Sequence, residues 1–130
     1  MEDFVGTTAE ASQRPLVLLV EDDVLIRLST GDILRESGYK VVEAADGEEA
    51  LGLLGAGLTP DLVISDIRMP GPTDGLKLLD LVQKRYPGLP VLLASSHLPL
   101  ENRHQGVVFL PKPYTPLALL GAARSLIAKN

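Results

Sequence analysis

Leu62-Val63-Ile64-Ser65-Asp66-Ile67-Arg68-Met69-Pro70 decides how the chain folds. An apolar run of strand length ends in a carboxylate, and a turn-forming Met-Pro follows it. A second apolar run, Leu16-Val17-Leu18-Leu19-Val20, ends in the same way in the acidic triplet Glu21-Asp22-Asp23. Two acid-bearing strand tips, with about one βαβαβ unit between them, can bring three carboxylates together.

Outward from these runs, short apolar stretches alternate with amphipathic segments from Pro15 onward, the pattern of a parallel sheet flanked by helices. Strands are expected at residues 16–20, 40–44, 62–65, 90–94 and 107–110. Those at 16–20, 91–94 and 107–110 are apolar on both faces, as buried parallel strands are. A first helix is expected from Val24 to Ser37, turning Leu25, Leu28, Ile33 and Leu34 to the core and stopping at Gly38. Gly31 within it costs about 1 kcal/mol relative to Ala, which packing must outweigh. Asp23 reads as the cap of this helix. Asp46-Gly47-Glu48-Glu49 opens a second helix that runs to Gly55, and a third runs from Thr73-Asp74 to just before Pro87-Gly88. The last has Thr115 as its cap, Pro116 at its first position, and Leu117, Leu120, Ala123 and Ile127 on one face. Residues 95–106 hold Pro99, His97 and His104 with little apolar periodicity, so a shortened or irregular fourth crossover is expected there.

With 130 residues, 45% of them apolar, the chain supports one core, expected over residues 15–130 behind a flexible leader at 1–14. Cysteine is absent, which excludes disulfides, thiolate chemistry and the common zinc motifs. A formal charge of −5 argues against direct binding to nucleic acid. No apolar run approaches the roughly 18 residues that span a bilayer, and Met1-Glu2-Asp3-Phe4 lacks the basic start of a signal peptide. The expectation is a cytoplasmic protein with no membrane partner.

In an open α/β sheet, ligands bind beyond the carboxyl ends of the strands. The first strand delivers Glu21 and Asp22 there, the third Asp66, the fourth Ser95 or Ser96, and the fifth Lys112. Carboxylates 4 Å apart repel by about 4 kcal/mol at an effective dielectric of 20, so the cluster calls for a cation. Oxygen-only donors favour Mg2+, or Mn2+ in its place, which keeps several waters and takes a few carboxylates with phosphate oxygens. Beside an ammonium and a hydroxyl, such a site suits a phosphoryl group attacked by a carboxylate.

From Pro15 to Lys129 the chain resembles the receiver domain of two-component response regulators. The resemblance is carried by Leu19-Val20-Glu21-Asp22-Asp23, by Val63-Ile64-Ser65-Asp66-Ile67-Arg68-Met69-Pro70 with Asp74-Gly75, and by Leu110-Pro111-Lys112-Pro113-Tyr114. It implies an α/β fold, a single doubly wound five-stranded parallel sheet in the order 2-1-3-4-5. It also implies that Asp66 accepts a phosphoryl group from the phosphohistidine of a histidine kinase or histidine phosphotransfer protein. Glu21, Asp22, Asp66 and the backbone carbonyl of Arg68 would surround Mg2+, and Lys112 would pair with the acyl phosphate, its bond to Pro113 being cis. Ser95, with Ser96 as the weaker alternative, and Phe109 fall at the family's switch positions. The resemblance implies a monomer or weak dimer that acts on a downstream protein. Beyond Mg2+-dependent self-phosphorylation and slow autodephosphorylation, no enzyme activity is expected.

Three departures stand out: one extra residue between Met69 and Gly75, the long cation Arg68 two places after the acceptor, and the short segment after Ser95. Two other functions fit parts of the pattern. One is a docking module indifferent to phosphorylation. The other is an aspartyl-phosphate phosphatase of the haloacid dehalogenase kind, which needs a second Asp where this chain has Arg68.

Overall fold

The apolar runs become strands because each is short and bounded by turn residues, and the three central ones are buried on both faces. In the computed structural model, which describes residues 14–96 and 107–128, they are β1 (Leu16–Val20), β2 (Lys40–Ala44), β3 (Leu62–Asp66), β4 (Val91–Ser95) and β5 (Val107–Pro111). The helices among the described residues are α1 (Val24–Glu36), α2 (Gly47–Gly55), α3 (Gly75–Arg85) and α4 (Pro116–Ala128). All strand pairings are parallel and the sheet runs β2-β1-β3-β4-β5, the expected order. Residues 1–13 of the expected leader, and the expected irregular fourth crossover with His97 and His104, lie outside the described residues.

Alternation along β1 divides the core in two. Leu18 and Val20 point into a cluster with Val63, Leu78, Leu79, Val82 and Leu93, under α2 and α3. Val17 and Leu19 join Leu34, Leu62, Ile64, Leu92, Leu119 and Ala123 on the opposite face, under α1 and α4. Each fully buried leucine contributes about 1.5–3 kcal/mol of transfer free energy.

Capping places the helix starts at the site end of the sheet. Asp23, Asp46 and Asp74 accept from the backbone N–H groups of Ile26, Glu49 and Lys77, and Thr115 from that of Ala118. Such caps contribute about 1 kcal/mol each. Gly38, at φ +97°, closes α1 in the left-handed conformation that glycine adopts most easily. Among the described residues no helix is long and apolar enough to cross a membrane.

Helix orientation differs from expectation in two places. Leu25 and Leu28, expected in the core, are 78% and 48% exposed, and α1 meets the sheet through Thr30, Gly31 and Leu34 instead. Leu25 belongs to the overhanging first turn, where it lines a surface cavity with Lys112, Pro113 and Tyr114. In α4, Leu117 is 83% exposed, and Leu119, Ala123 and Leu126 form the buried face.

Candidate functional site

Strand register assembles the site. Val20 lies opposite Ser65, which brings Glu21, the next residue, level with Asp66. Asp66 lies opposite Ala94, and Ser95 opposite Pro111, so Ser95 and Lys112 each stand one step beyond their neighbours in the sheet. Backbone bonds continue past the strand ends, from Glu21 N–H to Ala44 C=O at 3.0 Å, Ile67 N–H to Ala94 C=O at 3.0 Å and Lys112 N–H to Ser95 C=O at 2.9 Å. The side chains therefore project from a rigid rim.

Glu21, Asp22 and Asp66 each bring a carboxylate oxygen to one point, all within 4.8 Å of one another. Lys112 joins this cluster from β5, with its Nζ 3.1 Å from Asp66 Oδ2 and 3.4 Å from Glu21 Oε1. The Lys112–Pro113 bond is cis. Tyr114 is tied back to α1 by a hydrogen bond between its hydroxyl and that of Thr30 at 3.2 Å.

Burial pushes the Glu21 carboxyl above its usual range and Asp66 adds to the rise, while the Asp23 N–H and Lys112 oppose it. For Lys112, burial alone would lower the pKa, but Asp66 and Glu21 outweigh it and hold the ammonium above its ordinary value. The acids thus repel one another around a single ammonium, and three oxygen donors at this spacing fit a hard divalent cation that retains water.

The Glu21 shift fixes a sign. A carboxyl whose folded pKa exceeds its unfolded value stabilises the fold below the unfolded value, and that contribution is lost as pH rises through the folded pKa. At neutral pH Glu21 therefore costs the metal-free protein stability. Mg2+ is expected to raise the melting temperature more at neutral pH than just above pH 4.5, the ordinary carboxyl value, where Glu21 regains its proton. Thermal melts with and without Mg2+ across that range measure this; an equal rise throughout would contradict it.

The remaining residues marked by the sequence occupy different settings. Ser95 is buried at the tip of β4, whereas Ser96 is exposed and lines the cavity beside Lys112. Phe109 is partly buried against the core under α2 and α3, level with Leu93 rather than at the rim. Arg68 is exposed. Gly75 of the Asp74-Gly75 pair, and two residues unmarked by the sequence, Arg27 and Glu43, also bear on the site. Gly75 touches the backbone of Asp66 and Ile67 so closely that a Cβ there would meet the Asp66 carbonyl oxygen. Arg27 and Glu43 lie behind the acidic loop, where Arg27 donates to the Glu21 carbonyl.

Comparison with known proteins is consistent across sequence and structure. Residues 17–124 match the family model described as the response regulator receiver domain. The DNA-binding transcriptional regulator NtrC of Salmonella typhimurium is 40% identical over 107 residues, 78% of this chain and 22% of that protein. The transcriptional regulatory protein PdtaR of Mycobacterium tuberculosis is 36% identical over 128 residues, 95% of this chain and 62% of that protein. The chain therefore spans less than two thirds of either relative. A response regulator receiver protein from Sinorhizobium medicae superposes with a TM-score of 0.83 at 28% identity, covering 89% of this chain and 96% of that one.

Proposed function

The chain belongs to the response regulator receiver domain family, and from that premise we propose that it takes a phosphoryl group from a phosphohistidine onto Asp66 and thereby alters its interaction surface. The observation that carries this reading is the meeting of Glu21, Asp22 and Asp66 with Lys112 at the ends of three different strands. An Asp66 oxygen forms the new bond to phosphorus as the phosphorus–nitrogen bond breaks, and the donor imidazole keeps the electron pair. Lys112, already poised on Asp66, pairs with the phosphoryl oxygens. Glu21, Asp22, Asp66 and the Arg68 carbonyl would hold Mg2+. The bound ion would neutralise charge on the transferring group.

We assign Ser95 as the hydroxyl that senses the phosphoryl group, because it is buried at the neighbouring strand tip while Ser96 faces solvent. Phe109 is assigned as the aromatic switch, its partly buried ring standing on β5 level with Leu93 of β4. The donor is a histidine kinase or histidine phosphotransfer protein, the setting cytoplasmic, the receiver unit residues 15–130, and the protein a monomer or weak dimer.

Acetyl phosphate with Mg2+ is expected to give a single phosphoryl adduct by intact mass, and chelation of the metal beforehand is expected to abolish it. No adduct at any Mg2+ concentration would overturn the proposal.

A further inference from the structure

The site depends on a loop of three acids, Glu21-Asp22-Asp23, that joins β1 to α1. Asp23 is committed to capping, since its side chain accepts from Ile26 N–H, and its own N–H donates to Glu21 Oε2 at 3.1 Å. The Glu21 N–H is held by β2 through Ala44. Its carbonyl is held from the helix side, where Arg27 Nη1 donates to it at 2.7 Å, at the short end of the charge-assisted range. The same guanidinium places Nε 3.3 Å from Glu43 Oε1, with side-chain exposures of only 17% and 20%.

Glu43 sits on β2 opposite Leu19 and divides its carboxylate between two arginines of α1. Oε1 takes Arg27, and Oε2 takes Arg35 Nη2 at 2.9 Å. Gly31 keeps this crossing open, because a Cβ there would come within 3.0 Å of Arg35 Nη1 and 3.1 Å of Glu43 Oε2. That crossing gives a packing reason for a glycine in mid-helix, where it otherwise costs about 1 kcal/mol. A planar guanidinium can serve two acceptors on two elements at once, which a single ammonium point charge does less well.

We propose that Arg27, anchored by Glu43, is a positioning residue for the divalent cation, holding the β1–α1 loop so that Glu21 and Asp22 converge with Asp66. The inference rests on the functional reading above. Without the cation the acids push apart, and the Arg27 clamp keeps the loop near its metal-bound shape, so less free energy is spent reorganising it on binding. Arg35 supplies the internal control, since it pairs with the same Glu43 carboxylate and, unlike Arg27, is not bonded to the acidic loop.

The test is a Mg2+ titration of the metal-free full chain followed by backbone amide NMR, paired with the phosphorylation rate by acetyl phosphate as a function of Mg2+. Arg27→Ala is expected to weaken Mg2+ binding about 10-fold, with Arg27→Lys restoring part of the loss. At saturating Mg2+ the phosphorylation rate should return to within about twofold of wild type, so the deficit lies in the cation requirement. Arg35→Ala is expected to leave the Mg2+ affinity within about twofold. Should Arg27→Ala not fold, Glu43→Gln releases the anchor while preserving shape and is expected to weaken Mg2+ binding about threefold. Unchanged affinity in the Arg27 and Glu43 variants, or an equal loss in Arg35→Ala, overturns the inference alone. A wild type that binds no Mg2+ overturns the functional reading and the inference with it.

Discussion

Lys112→Ala is expected to accept a phosphoryl group from acetyl phosphate about 100-fold more slowly than wild type at saturating Mg2+, the scale of losing one preorganised charged donor. Lys112 Nζ stands 3.1 Å from Asp66 Oδ2 in a setting where its side chain is only 20% exposed, so water replaces its charge poorly. The same substitution should tighten Mg2+ binding, because it removes a cation 3.4 Å from Glu21 that repels the metal and competes for the same oxygens. Weaker transfer with tighter metal binding separates a role at the phosphoryl group from a role in holding the acids together. Stopped-flow phosphorylation and calorimetric Mg2+ titration on the same preparation read both. A variant that loses metal affinity and transfer rate together would assign Lys112 to structure alone.

Gly75→Ala is expected to destabilise the fold by about 1–3 kcal/mol and to slow phosphorylation, through the backbone rather than any lost contact. A Cβ at Gly75 would meet the Asp66 carbonyl oxygen and Ile67 Cα, which are backbone atoms that no rotamer change can move aside. The Gly75 N–H also bonds to the Ile67 carbonyl at 2.8 Å, so α3 cannot withdraw without losing that bond. Gly52 in α2 provides the contrast, since nothing lies within 4 Å of its Cβ position. Gly52→Ala should therefore stabilise by about 0.5–1 kcal/mol, the ordinary helix propensity gain. Urea unfolding of the two variants would contradict this account if both shifted in the same direction.

The central strands β1, β3 and β4 were readable because parallel strands buried on both faces leave nearly continuous apolar runs, and β1 and β2 lie where the pattern put them. The acids were readable because strand tips in such a sheet point at one crevice. Strand order came from the family resemblance, since composition and spacing alone leave order open. Leu25, Leu28 and Leu117 misled because a solvent-facing leucine on a helix can share the spacing of leucines on the core face. Arg27 and Glu43 were invisible for another reason: a charged pair between α1 and β2 becomes a clamp only once β1–β2 register and the glycine at position 31 are known. Gly75 was legible only as part of the motif after Asp66, and only the approach of α3 to β3 reveals why no side chain fits there.

Asp66 is the residue expected to carry the phosphoryl group. Treating the phosphorylated protein with borohydride reduces an aspartyl phosphate to homoserine, and peptide sequencing by mass spectrometry then locates the converted residue. Homoserine is expected at position 66 and nowhere else, with no conversion in Asp66→Asn. Conversion at Asp22, or an adduct on His97 or His104 that survives in Asp66→Asn, would contradict it.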